Sequence, residues 1–91
     1  MAYQDAVQFA MAAAHHAQRG GVDPFELIGI ARNESDFRPR LVGPDGKDCG
    51  LMQTRILYSR YRCRDLRRDP WLSFEEGARR ELWEETGIVA P

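Results

Sequence analysis

The stretch IARNESDFRP, Ile30 to Pro39, contains the residue of this chain that is best suited to acid–base chemistry. If the stretch ends an α-helix, one face of that helix carries Leu27, Ile30, Ala31 and Glu34. A carboxyl group that continues an apolar face is partly desolvated, and desolvation disfavours its charged form. The negative end of the helix dipole, at the last turn, acts in the same direction. Because a carboxyl group that stays protonated near neutral pH can serve as a general acid, we predict this role for Glu34.

The residues around Glu34 predict the helix that positions it. Asp23 is a suitable N-cap, Pro24 suits the first turn, and Glu26 completes an Asp-x-x-Glu capping pattern. Arg38-Pro39 is expected to end the helix, because proline cannot continue the hydrogen bonds and restricts the residue before it. Glu34 is therefore expected near the C-terminal end of a short helix.

One further helix is predicted on each side of this one. The first covers residues 4–17 and ends at Gly20-Gly21. Its core-facing side is expected to carry Val7, Ala10, Met11, Ala14 and Ala17. The last covers about residues 74–85 and follows a Ser73–Glu76 capping box.

The residues between these helices predict a loop and a short helix. Residues 38–50 contain the turn-forming pairs Gly-Pro and Asp-Gly, and residues 51–66 suggest a short helix with an irregular start. We predict an all-α fold with a small β-excursion in the 40–50 loop. A chain of 91 residues, 43% apolar and 30% charged, fits one soluble globular domain over residues 1–91.

The sequence shows neither a membrane span nor a leader peptide. No apolar run approaches the roughly 20 residues that cross a bilayer. The first 21 residues lack a basic start, and Asp5 and His15-His16 interrupt their apolar stretch. If the sequence is the whole gene product, we expect other components to carry it across a membrane.

The two cysteines, Cys49 and Cys63, allow two interpretations. In an oxidising compartment, a disulfide between them would close a loop of about 15 residues and contribute roughly 3 kcal/mol. In a reducing compartment they would be free thiols. A zinc site would need two more ligands, and His15-His16 lacks metal-binding spacing. We therefore expect no metal and no cofactor.

The charged residues are unevenly distributed, although the net charge is only −1. Residues 55–68 contain six arginines and one aspartate, whereas residues 75–85 contain five glutamates and two arginines. These segments are either solvated faces that attract each other or a cationic wall for an anionic polymer. Nucleic acid and peptidoglycan are two such polymers.

Several motifs together resemble those of a known family. GVDPFELIGIARNESDFRP is followed by a glycine-containing loop, then by GLMQ at residues 50–53, then by DPWLSFEEGARREL at residues 69–82. In this order and spacing they are similar to the soluble lytic transglycosylase (SLT) domain of the lysozyme-like superfamily. The resemblance covers nearly the whole chain and implies a small lysozyme-like helical domain.

The resemblance also implies roles for individual residues. Glu34 matches the catalytic acid of the family, and the matched substrate-binding positions are Ser35, Gly50, Leu51, Met52 and Gln53. In the family, the glutamic acid protonates the glycosidic oxygen between N-acetylmuramic acid and N-acetylglucosamine. It then accepts the proton of the muramoyl C6 hydroxyl, which closes onto C1 to give a 1,6-anhydro product.

The implied partner is the peptidoglycan glycan strand, bound by a monomer in the cell envelope or periplasm. Without a signal peptide, delivery by a phage, a secretion machinery or a holin is expected. Neither nucleic acid nor a membrane span is expected.

The sequence departs from the family pattern in one motif. The family has a Tyr-Asn pair in a helix after the Gly-Ala helix, and its tyrosine contacts the catalytic acid. No such pair follows Gly77-Ala78 here, which implies a domain that lacks the C-terminal helices of the full fold. Three alternatives stay open: a hydrolytic muramidase, a weakly active peptidoglycan-binding module and a nucleic-acid binder. The hydrolase would use Asp36, Asp45 or Asp48 as its second carboxylate.

Overall fold

Four helices dominate the architecture. A computed structural model describes residues 2–87. The helices are α1 (Tyr3–Gly20), α2 (Pro24–Ser35), α3 (Cys63–Arg68) and α4 (Pro70–Thr86). The antiparallel strands β1 (Asp48–Cys49) and β2 (Thr54–Arg55) form a short hairpin, and a 3-10 turn follows at Ile56–Tyr58. The predicted all-α class is confirmed. Strand β1 lies in the predicted 40–50 excursion, whereas β2 lies in residues 51–66, which were predicted as a short helix and contain a helix only at α3.

Helix α1 packs most extensively against α4 and also against α2. Its buried side carries Phe9, Ala12, Ala13, His16 and Ala17. The predicted core side is therefore wrong except at Ala17, since the other four residues of that prediction are exposed. The physical reason is that α1 carries alanine on most of its circumference, so the large Phe9 decides the orientation. Its ring lies 6.4 Å from that of Phe37 and 6.3 Å from that of Phe74.

Helix α2 begins as predicted but ends earlier. The Asp23 carboxylate accepts a hydrogen bond from the Phe25 backbone N–H at 2.9 Å, with Pro24 in the first turn. The helix ends at Ser35 rather than at Arg38-Pro39, because Asp36 adopts a left-handed conformation with φ 52°. Its backbone N–H then donates back to the helix carbonyls, which closes the last turn.

Helix α4 begins four residues before its predicted start. Asp69 caps it by accepting a hydrogen bond from the Trp71 N–H at 3.0 Å, and Pro70 occupies the first turn. The predicted Ser73–Glu76 capping box is wrong. Ser73 lies inside the helix, where its hydroxyl donates to the Leu66 carbonyl at 3.0 Å.

The hairpin is held against α3 and α4 at two points. Cys49 and Cys63 form a disulfide, which decides between the two interpretations of these cysteines. Gly50, with φ +83°, lies so close to α4 that an added Cβ would stand 2.7 Å from the Ser73 hydroxyl oxygen and 3.0 Å from the Leu66 carbonyl oxygen. Only glycine fits this position, both for its conformation and for its space.

Candidate active site

Glu34 lies in the last turn of α2 with its side chain exposed. The predicted burial of its carboxyl group is therefore wrong. The buried stripe of α2 runs through Leu27, Ala31 and Ser35, at intervals of four residues, and Glu34 stands one position off that line. Within residues 2–87, no hydrogen bond or ion pair engages the Glu34 carboxylate. The group is thus open to a ligand from solvent.

Ser35, the residue that follows Glu34 in the chain, has a structural role. Its side chain is buried, and its hydroxyl donates to the Ala31 carbonyl at 2.9 Å. The Arg38 Nε donates to the Ser35 carbonyl at 3.0 Å. These bonds satisfy the carbonyl groups at the helix end and fix the turn that presents Glu34. The predicted contact of Ser35 with substrate stays a prediction.

Gly50, Leu51 and Met52 belong to the connection between β1 and β2, and all three are buried. Met52 lies across Gly77 of α4, where an added Cβ would overlap its terminal methyl group. The Gly of the Gly-Ala pair therefore makes room for the Met of the GLMQ segment. The predicted substrate contacts of these residues stay predictions, while their packing shows how the two motifs depend on each other.

Gln53 closes the loop that begins after α2. Its Nε2 donates to the carbonyl oxygens of Leu41 and Gly50, each at 3.0 Å. Its own backbone is left-handed, with φ 46°. The amide nitrogen of Gln53 therefore holds the loop backbone, while its amide oxygen can still accept a hydrogen bond from a ligand. A role of Gln53 in substrate binding stays a prediction.

Neither tyrosine in the middle of the chain bonds to Glu34. The Tyr61 hydroxyl donates to the Glu75 carboxylate at 2.5 Å, and this hydrogen bond raises the pKa of Tyr61. Tyr58 is exposed on the 3-10 turn. Asp48, one of the carboxylates proposed for a hydrolase, is bound by the Arg55 guanidinium at 2.9 Å. It is therefore less available to activate a water molecule than the exposed Asp36.

Arg60 links the basic and acidic segments. Its guanidinium donates to Glu75 at 2.6 Å and to the buried Glu76 at 3.0 Å. These two ion pairs confirm that the basic and acidic segments attract each other at Arg60.

A buried carboxyl group with a raised pKa lies elsewhere, on α4. Glu81 is only 7% exposed, and its carboxyl oxygen lies within 4.8 Å of those of Glu26 and Glu85. Burial, a hydrogen bond with Glu26 and the negative charges of Glu84 and Glu26 raise its pKa to about 7, against a smaller opposing effect of Arg80. The sequence-based predictions did not include Glu81. The spacing of Phe74, Ala78 and Glu81 along one face of α4 is the signal that could have found it.

Comparison with known protein families identifies the domain. The model of the transglycosylase SLT domain matches residues 11–80. The matched region includes Glu34, the Gly50–Gln53 segment and Gly77-Ala78. The chain belongs to this family. No curated protein and no solved structure matches the chain.

The SLT family has a known fold, a known ligand and a known place of action. The family has the lysozyme-like, mostly helical fold, binds peptidoglycan and acts on it in the cell envelope. A peptidoglycan-cleaving function of the lytic transglycosylase type is indicated for the SLT domain described here. None of the helices within residues 2–87 is both long and apolar enough to cross a membrane.

Proposed function

We propose that this SLT domain is a lytic transglycosylase that cleaves the β-1,4 bond between N-acetylmuramic acid and N-acetylglucosamine, with Glu34 as its general acid and base. The observation that carries the proposal is the family match over residues 11–80, a range that contains Glu34 and the Gly50–Gln53 segment. The exposure of Glu34, and its lack of an ion pair or hydrogen bond within residues 2–87, support it further. A carboxyl group that is not held by the protein can reach a glycosidic oxygen.

The reaction needs one carboxyl group for two proton transfers. Glu34 donates its proton to the glycosidic oxygen, and the bond from that oxygen to C1 of the muramoyl residue breaks. The carboxylate then accepts the proton of the C6 hydroxyl as the C6 oxygen bonds to C1. The short helix and its fixed last turn hold Glu34 in place for both steps.

Lysis of purified sacculi tests the proposal. Wild type is expected to lower the turbidity of a sacculus suspension and to release muropeptides with 1,6-anhydromuramoyl ends, identified by their mass. Replacing Glu34→Gln keeps the shape and removes the proton, so the rate should fall by about 10²- to 10⁴-fold. Glu84→Gln is the matched control, because Glu84 is also an exposed helical glutamate, and it should keep the wild-type rate. Products with reducing ends only would reassign the domain to the hydrolases.

A peptidoglycan-binding module without turnover is the second candidate. One observation favours it: the Tyr61 hydroxyl bonds to Glu75 and not to Glu34. In this case wild type and Glu34→Gln would co-sediment equally with sacculi, and neither would release soluble products. Release of anhydro products by wild type would eliminate this candidate.

A further inference from the structure

An open groove lies beside the 3-10 turn, on the side of the hairpin. Its volume is about 690 Å³, and residues between Lys47 and Cys63 line it. We call the surface formed by Lys47, Ile56, Leu57 and Arg62 the docking face. The Cys49–Cys63 disulfide joins the two ends of the segment that carries most of this surface. The docking face is therefore held in one shape before any partner binds.

The centre of the docking face is apolar and exposed. Leu57 is 77% exposed and Ile56 is 36% exposed, and both line the groove. These two neighbouring apolar side chains expose hydrocarbon to water, because neither of them is buried in the core. Contiguous exposed apolar groups of this kind mark interaction surfaces.

The rim of the docking face is cationic. Lys47, Arg55, Arg60 and Arg62 line the groove, and no acidic side chain lines it. Asp48 pairs with Arg55, and Glu75 and Glu76 pair with Arg60, whereas Lys47 and Arg62 form no ion pair within residues 2–87.

The positive charge extends beyond the groove to the surrounding segment. Residues 40–68 contain eight basic and three acidic side chains, a net charge of +5 in a chain whose total is −1. The positive charge of the domain is thus concentrated in the segment that also carries the exposed apolar turn.

We propose that the docking face binds the surface of an anionic phospholipid bilayer. An apolar centre with a cationic rim matches a bilayer in both respects: Leu57 and Ile56 enter the acyl boundary, while Lys47 and Arg62 contact lipid phosphates. Nucleic acid offers phosphates but no hydrocarbon layer for an exposed leucine, so it fits only the rim. The proposal is independent of the glycan-cleaving function, since it uses neither Glu34 nor a sugar.

Co-sedimentation with vesicles tests the proposal on the full chain. The lipids are phosphatidylcholine alone and phosphatidylcholine mixed with phosphatidylglycerol, each at low and high salt. Wild type should bind the vesicles that contain phosphatidylglycerol and should bind them less at high salt. The double variant Lys47→Gln/Arg62→Gln should bind about 25-fold more weakly, because each basic residue near an anionic surface is worth about fivefold, or about 1 kcal/mol.

Leu57→Ser tests the apolar centre. It should weaken binding by about tenfold or more, since the leucine side chain no longer enters the apolar layer. The matched controls are Met11→Ser, which changes an exposed apolar residue on α1, and Arg32→Gln, which removes an exposed cation on α2. Both controls should bind vesicles as wild type does, and far-UV circular dichroism checks that every variant is folded.

Three results would overturn the proposal. The first is equal or undetectable binding of wild type to both lipid compositions. The second is a loss of binding in the control variants as large as that in the docking-face variants. The third is a Leu57→Ser variant that loses binding to sacculi while no form binds vesicles, which would make the face a glycan contact. Glu34→Gln should retain vesicle binding, so failure of glycan cleavage and failure of membrane docking are separate results.

Discussion

Replacing Glu81 by glutamine should stabilise the domain in a pH-dependent way. Glu81 on α4 is buried beside Glu26 of α2, and Glu84, Glu85 and Arg80 are the other charged groups near it. Burial in particular raises its pKa to about 7. The neutral carboxyl group can donate a hydrogen bond to the Glu26 carboxylate. Once Glu81 ionises, its carboxylate lies within 4.8 Å of the Glu26 carboxylate, and the two negative charges repel each other.

The size of the effect follows from the two pKa values. A rise from 4.5 to about 7 corresponds to about 3 kcal/mol at most, at 1.36 kcal/mol per unit. Because the folded state binds this proton more tightly than the unfolded chain, the stabilisation is fully present below the unfolded pKa of 4.5. It is lost as the pH rises through the folded pKa of about 7. Wild type should therefore lose up to about 3 kcal/mol of unfolding free energy between about pH 4.5 and pH 8 through Glu81.

Glutamine keeps the shape and the hydrogen-bond donor of the neutral acid and does not ionise. Glu81→Gln should match wild type within about 1 kcal/mol at pH 5 and exceed its unfolding free energy by about 2–3 kcal/mol at pH 8. Urea unfolding at both pH values, followed by circular dichroism with the disulfide intact, measures this difference. Glu34→Gln is the control, because Glu34 is exposed and its replacement should change stability by less than about 0.5 kcal/mol at either pH. A Glu81→Gln variant with the same stability difference at pH 5 and pH 8 would refute the reasoning.

Three further predictions concern packing, the disulfide and a helix cap. Gly77→Ala should destabilise the domain by about 1–3 kcal/mol in urea unfolding, because the added methyl group overlaps Met52; Gly29→Ala, in open space on α2, is the control and should not destabilise. Reduction of Cys49–Cys63 should cost about 3 kcal/mol and lower the melting temperature in calorimetry, and an unchanged melting temperature would contradict this loop-closure argument. Asp69→Ala should cost about 1 kcal/mol in the same unfolding assay by removing the N-cap of α4, whereas Asp69→Asn, which keeps the acceptor, should cost less.

The helices were predictable because their ends carry strong local signals. Asp23-Pro24 and Asp69-Pro70 each combine an N-cap with a proline in the first turn, and both begin helices in the structure. The sequence predicts the start of the last helix only after the second pair, at about residue 74, since a following Ser-x-x-Glu pattern also predicts a helix start. Tertiary contacts override that pattern, because Ser73 bonds to Leu66 and Glu76 pairs with Arg60. Local patterns thus predicted where helices exist better than where they begin.

The faces of the helices were harder to predict than their existence. Helix α1 has apolar residues on opposite sides, and only the packing of Phe9 against Phe74 distinguishes the core side. Glu34 lies three or four residues after apolar positions, and this spacing is compatible with either of two neighbouring rows of side chains along the helix. The structure selects the line that ends at Ser35. Which of the two lines is buried cannot be predicted from a single sequence, because it depends on which neighbouring element covers the helix.

The pairing of α1 with α4 has a consequence for how the chain folds. These two helices lie at opposite ends of the described sequence, yet they form the most extensive helix–helix contact. Phe9 on α1 can pack against Phe37 early, but its second aromatic partner, Phe74, is made only with α4. During synthesis, at about 5–20 residues per second, α1 and α2 must therefore wait several seconds for α4 before a complete core can form. Until then the emerging chain exposes part of the aromatic side of α1. Chaperones bind exposed apolar surface of this kind, so we expect them to bind the incomplete chain on the ribosome.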